Sequence, residues 1–88
     1  MNKDVMQQPQ DGITVSEKIL ADLQLVFPKL SPQLRQAAHY LIDRPDEIAF
    51  TSMRQLAERA EVQPATMVRL AQAIGFDGYE ALREPFRD

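Results

Sequence analysis

The stretch SMRQLAERAEVQPATMVRLAQAIGF, residues 52–76, decides the fold. Ser52 is a capping residue, and Gln55 three positions later fits a capping box in which each closes the other's orphan amide. Met53, Leu56, Ala57 and Ala60 then recur at helical spacing as a short apolar stripe. A three-residue connection follows, Glu61-Val62-Gln63. Pro64 opens a second helix, where its missing amide hydrogen would have had no partner anyway. Met67, Leu70, Ala71 and Ile74 form the inward stripe of a helix predicted over 64–74. Gly75 is the expected left-handed residue behind it, with Phe76 folding back onto the helix.

A short helix, a tight corner and a second helix are the parts of a helix-turn-helix. The first helix braces the second, and a small residue between them allows close approach. A buried apolar residue pins the corner, and the outer face of the second helix is left for the DNA major groove. Ala57 is the small contact here, Val62 the corner residue, and Met67 with Leu70 the inward pair. The outward face is expected to carry Ala65, Thr66, Arg69, Gln72 and Ala73, with Gln63 at the helix start. Three of these residues have groove chemistry. Gln63 matches the edge of adenine, Arg69 matches guanine or a phosphate, and Thr66 matches a thymine methyl or a phosphate. Ser52 and Arg54, at the start of the brace helix, are placed for a phosphate contact, although capping explains Ser52 equally well. The pattern alone divides evenly between this DNA-reading unit and a helical protein-interaction module without DNA binding.

Working outward, Ser16 is the expected cap of a first helix, with Ile19, Leu20, Leu23, Val26 and Phe27 as its stripe and Pro28 as its stop. That stripe is core, or a dimer face if the helix stands apart. Ser31-Pro32 opens a second helix with Leu34, Ala37, Ala38, Leu41 and Ile42 buried, ending at Pro45. Residues 46–50 make one further turn, with Ile48 and Phe50 expected inward. Asp77 and Glu80 suggest another capping box, and Tyr79, Leu82 and Phe86 line the last helix, which Pro85 kinks or ends. Tyr79 is either a phosphate donor at a helix start or a buried ring. No segment alternates as a strand does. The expected class is all-α, a compact bundle of about five short helices spanning 16–88, behind a flexible tail at 1–15.

Composition narrows the function. The 88 residues allow one small domain. The absence of cysteine excludes a disulfide framework and a thiolate zinc site and favours a reducing, cytoplasmic setting. No apolar run approaches the ~18 residues of a membrane span. His39 is the single histidine and has no second imidazole to share a metal. Asp43, Asp46 and Glu47 read as a solvated acidic loop, and no nucleophile–base pair or glycine-rich phosphate loop is present, so neither enzyme nor cofactor is expected. The formal charge of −3 speaks against a generic nucleic-acid binder. The charge is uneven, however. From Thr51 to Phe76, Arg54, Arg59 and Arg69 outnumber Glu58 and Glu61, and the acidic excess lies elsewhere.

A resemblance extends the reading. Leu56-Ala57-Glu58-Arg59-Ala60, Val62 through Leu70, and Ile74-Gly75-Phe76-Asp77-Gly78-Tyr79-Glu80 resemble the N-terminal domain of RpiR-type bacterial transcriptional regulators. Leu30-Ser31-Pro32, Ala37 through Ile42, Pro45 and Ile48 resemble it too, so the likeness runs over roughly 17–87. It implies an all-α domain that binds double-stranded operator DNA as a homodimer, in a repressor or activator of sugar or sugar-acid metabolism. It also implies a C-terminal sugar-isomerase-like domain that senses a phosphorylated sugar. That domain is absent from this chain, which is therefore expected to be part of a longer protein. The family usually has Gly and Ser around the turn valine, where this chain has Glu61 and Gln63. A left-handed Glu61 would cost roughly 1 kcal/mol relative to Gly, and Gln63 is a weaker cap than Ser.

Overall fold

The computed structural model describes residues 14–87. Among them are six α-helices, two short 3₁₀ turns and no strand. The helices are α1 (Val15–Val26), α2 (Pro32–Asp43), α3 (Asp46–Phe50), α4 (Met53–Ala60), α5 (Pro64–Ala73) and α6 (Tyr79–Arg83). The 3₁₀ turns are Phe27–Lys29 and Glu84–Arg87. Most of the expected tail, 1–13, lies outside the described residues.

Local chemistry explains most boundaries. The cap of α1 is Thr14, not Ser16 as expected: its hydroxyl accepts from Glu17 N at 3.1 Å, and Glu17 Oε1 accepts from Thr14 N at 3.1 Å. Thr14-x-x-Glu17 has the capping-box spacing, whereas Ser16 has Ile19 at the corresponding place. Val15 is therefore helical. Ser31 caps α2 ahead of Pro32 as expected, accepting from Leu34 N at 3.4 Å. Ser52 caps α4 through Gln55 N at 3.1 Å. The Asp77–Glu80 capping box does not form. Gly78, which has no side chain, occupies the cap of α6, and Glu80 pairs with Arg83 at 3.2 Å. Pro85 falls in the closing 3₁₀ turn, just after α6 ends at Arg83.

One core serves all six helices. Ile19 and Leu23 of α1, Ala37, Ala38 and Leu41 of α2, and Ile48 of α3 meet Leu56 and Ala57 of α4, Met67, Leu70 and Ala71 of α5, and Tyr79 and Leu82 of α6. Ile19 and Leu23 are thus core, and Leu20, Val26 and Phe27 pack half-buried against it, so α1 does not stand apart from the other helices. The exposed apolar residues of α1 are Val15 and Leu25 instead. Phe50 is also outside, 86% exposed, against the expectation that it packs beside Ile48. Residues two apart on a helix point to nearly opposite sides, so a five-residue helix that buries Ile48 completely must expose Phe50. Helix α5 packs against α2, α4 and α6, which makes it the centre of the fold.

The corner between α4 and α5 carries the one left-handed non-glycine residue among the described residues, Glu61 at φ 62° and ψ 44°. Val62 N reaches back to Ala57 O at 2.9 Å and Glu61 N to Glu58 O at 3.1 Å. This is the Schellman pattern, and it reappears after α5 with Gly75 at φ 98°: Phe76 N bonds Ala71 O and Gly75 N bonds Gln72 O, both at 3.0 Å. The same closure is thus made once by glycine and once by glutamate.

A polar seam along α2 locks the corner. Gln36 Nε2 donates to Ala60 O at 2.7 Å and to Glu61 O at 3.2 Å. One turn further along α2, Tyr40 Oη donates to Glu47 Oε1 at 2.7 Å, and the same oxygen accepts from Arg59 Nη1 at 2.9 Å. The Arg44 guanidinium lies over the Tyr40 ring, 5.3 Å from its centroid. The Tyr40 hydroxyl first, and then Arg59, hold the Glu47 carboxyl below its ordinary range; that hydrogen bond likewise raises the Tyr40 phenol.

Two outcomes are expected. Glu61→Gly should stabilise the fold by up to about 1 kcal/mol in urea titration, since glycine adopts the left-handed region without the side-chain clash. The second concerns pH. A folded-state pKa that is depressed gives stability above the unfolded pKa and loses it as pH falls through the folded value. The stability advantage of the wild type over Glu47→Gln should therefore be full above pH ~5 and vanish under acid conditions, in urea titrations across a pH series.

Candidate nucleic-acid interface

Helix α5 divides cleanly into two faces. Thr66, Met67, Leu70 and Ala71 are buried. Ala65, Arg69, Gln72 and Ala73 are exposed, as is Gln63 at the cap, and Val68 lies between the two faces. The helix ends at Ala73 with Ile74 as its cap, one residue short of the predicted 64–74.

Two of the candidate site residues are in the core instead. Thr66 is 3% exposed, so it cannot present its methyl or hydroxyl to a groove. It lies four residues before Leu70 and therefore on the inward stripe. Tyr79 is also 3% exposed, its ring packed in the core. Its hydroxyl is buried without a hydrogen-bond partner, and burial raises its pKa strongly. It is a core residue and not a phosphate donor. Gln72 remains on the surface, but its amide is engaged: Nε2 donates to Asp77 O at 3.1 Å, tying the end of α5 to the loop before α6.

The rest of the set, Ser52, Arg54, Gln63, Ala65 and Arg69, is exposed. Arg69 and Arg54 are exposed, and among the described residues neither forms an ion pair. Arg59, by contrast, is committed to Glu47, which raises its pKa further and removes it from the free charge. Arg54 and Arg69 are thus the free cations of the unit, offset in number by the exposed Glu58 and Glu61. Ser52 Oγ accepts the Gln55 amide and retains its own proton to donate. Gln63 makes no side-chain bond to its own helix, so its amide is uncommitted at the helix start. A shallow cleft where α4 meets the corner is lined by Arg54, Ala57, Glu58, Val62 and Pro64.

Gln36 is the residue that sequence reasoning missed. Its partners lie 24 and 25 positions away, and no local pattern marks it. Tyr40 and Glu47 were legible only as a helix residue and a loop acid, and their joint hold on Arg59 is likewise a tertiary feature.

A brace helix, a pinned corner and a second helix with one buried and one polar face define a helix-turn-helix unit of the type that DNA-binding regulators use. The chain belongs to the rpiR family of helix-turn-helix domains, whose family description matches residues 18–87. It is 33% identical over 57 residues to the uncharacterized HTH-type transcriptional regulator YfhH of Escherichia coli (strain K12). That match covers 65% of this chain and 20% of YfhH, so it spans about a fifth of that relative's length. Its fold is similar to the crystal structure of the N-terminal domain of the proposed transcriptional regulator ybbH from Bacillus subtilis subsp. subtilis str. 168. The TM-score is 0.72 and the identity 25%, covering 77% of this chain and 83% of that one. This chain is a helix-turn-helix domain of a transcription-regulator family. Among the described residues no helix is long and apolar enough to cross a membrane.

The two roles considered for Tyr79 separate in one experiment. Tyr79→Phe should leave DNA affinity unchanged and hold or raise stability by up to about 1 kcal/mol, since it removes a buried hydroxyl that lacks a partner. Tyr79→Ala should destabilise by about 3–5 kcal/mol through the cavity it leaves. Thermal melts and gel shifts check both.

Proposed function

We propose that the chain reads double-stranded operator DNA with the outward face of α5, as a homodimer on a palindromic site. The observation that supports this most directly is the exposed Ala65–Arg69–Gln72–Ala73 face, with Arg69 free of any ion pair among the described residues. Arg69 meets guanine or a phosphate, Gln63 offers an amide to adenine, and Ala65 offers a methyl to thymine. Ser52 and Arg54 meet the backbone beside the groove and set the register of the domain. Gln72 serves chiefly to hold the end of α5. Pairing matters because one domain with two free arginines neutralises few phosphates, and two half-sites joined in a dimer multiply a weak affinity.

The regulated genes are proposed to be those of sugar or sugar-acid metabolism, and the effector a phosphorylated sugar bound outside this chain. Support for this comes from the family resemblance and from the chain's span of about a fifth of YfhH.

Arg69→Ala should weaken operator binding by about 1–3 kcal/mol in gel shift, the value of a bidentate base contact, and relax preference at one base pair. Arg54→Ala should weaken binding to all sequences alike and lower the slope of log affinity against log salt by about 0.9. Unchanged affinity in both variants would remove α5 and its brace from the interface. The second reading, a helical protein-interaction module, draws on the exposed Leu25 and Phe50. It would be favoured if the full-length protein bound no promoter fragment at low salt.

A further inference from the structure

We infer that Gln36 is a positioning residue for DNA reading: it sets the seat of α5 by holding both backbone carbonyls at the left-handed corner. The inference rests on the proposed DNA reading and assigns a role to a residue on α2, outside the helix-turn-helix itself.

The last carbonyls of a helix have no partner within it, and a left-handed residue at the exit turns the following carbonyl away from the helix as well. At this corner the Schellman bonds satisfy Ala57 O and Glu58 O. Ala60 O and Glu61 O are taken by the two hydrogens of one amide, Gln36 Nε2, at 2.7 and 3.2 Å. A single NH₂ bridging consecutive carbonyls constrains the orientation of the peptide plane between them. That plane is the pivot between brace and reader, because only Val62 and Gln63 separate Glu61 from the first residue of α5. The constraint is needed here more than in a glycine corner. Glu61 holds φ 62° without the ease of glycine, and relaxation of that residue would swing the start of α5. The opposite end of α5 has a related device, Gln72 Nε2 on Asp77 O at 3.1 Å. Gln72 thus ties the far end of α5 directly to the next loop, whereas Gln36, on α2, holds the corner that precedes the start of α5. Gln36 is itself exposed, so its removal opens no cavity, and its effect falls on geometry before it falls on the core.

The test uses a duplex that the wild-type chain selects from a random-sequence pool. Gln36→Met keeps the shape and loses the donors; Gln36→Glu keeps the shape and sets a carboxylate against two carbonyl oxygens. Ile19→Val, in the core contributed by α1, serves as a control for lost stability. All are assayed well below their melting transitions, where each is fully folded. The expected result is a fivefold or greater loss of affinity in Gln36→Met and a larger one in Gln36→Glu, with Ile19→Val binding as the wild type does. Wild-type affinity in folded Gln36→Met would overturn the inference while leaving the DNA reading intact. Equal losses in Gln36→Met and Ile19→Val would also overturn it, by reducing Gln36 to a stabilising residue. Failure of the wild type to enrich any duplex would overturn the DNA reading and the inference with it.

Discussion

The fold of the reading unit depends on one strained corner. Glu61 occupies a region of backbone space that L-residues adopt at a cost, and the direction in which α5 leaves α4 follows from it. Schellman bonds from Glu61 and Val62 close the end of α4, and the Gln36 amide holds Ala60 O and Glu61 O. The half-buried Val62 side chain packs against the core and pins the same corner from inside. The strain persists because several independent contacts determine the geometry together. A glycine would need less support, as Gly75 shows at the other end of α5.

The remaining helices serve as the frame of this corner. Helix α2 supplies Ala37, Ala38 and Leu41 to the core and Gln36 and Tyr40 to the polar seam, so it grips α5 through packing and α4 through hydrogen bonds. Glu47 brings α3 into the seam by accepting from Tyr40 and Arg59 through one oxygen. Arg83 of α6 is largely buried, donating to Ala49 O at 3.5 Å and pairing with Glu80, which ties α6 back to α3. Among the described residues, the packing leaves α5 with one exposed face, that of Ala65, Arg69, Gln72 and Ala73.

Electrostatics refine the functional picture. The chain as a whole is acidic, yet the unit from Thr51 to Phe76 carries a slight positive excess. The structure removes this excess, since Arg59 is neutralised by Glu47 and the remaining Arg54 and Arg69 are balanced by the exposed Glu58 and Glu61. A local charge this close to balance gives little attraction for generic nucleic acid.

The sequence by itself determined the helical class, the two-helix core of the domain, the caps at Ser31 and Ser52 and the left-handed residue at Gly75. These follow from periodicity and from the chemistry of neighbours within four positions. It also determined that Arg69 lies outside, because an inward stripe at Met67, Leu70, Ala71 and Ile74 leaves Arg69 no other side. Three local readings failed for equally local reasons: Thr66 shares a face with Leu70, Ile48 and Phe50 cannot share one, and Thr14 has the better cap spacing than Ser16. Only the tertiary structure decided the fate of Tyr79, the engagement of Gln72 and Arg59, and the place of Gln36. Each depends on a partner brought close by packing. The corner shows the division most clearly: its tight connection could be read from three adjacent residues, whereas the amide that holds it comes from 24 positions upstream, a distance no helical or turn pattern spans.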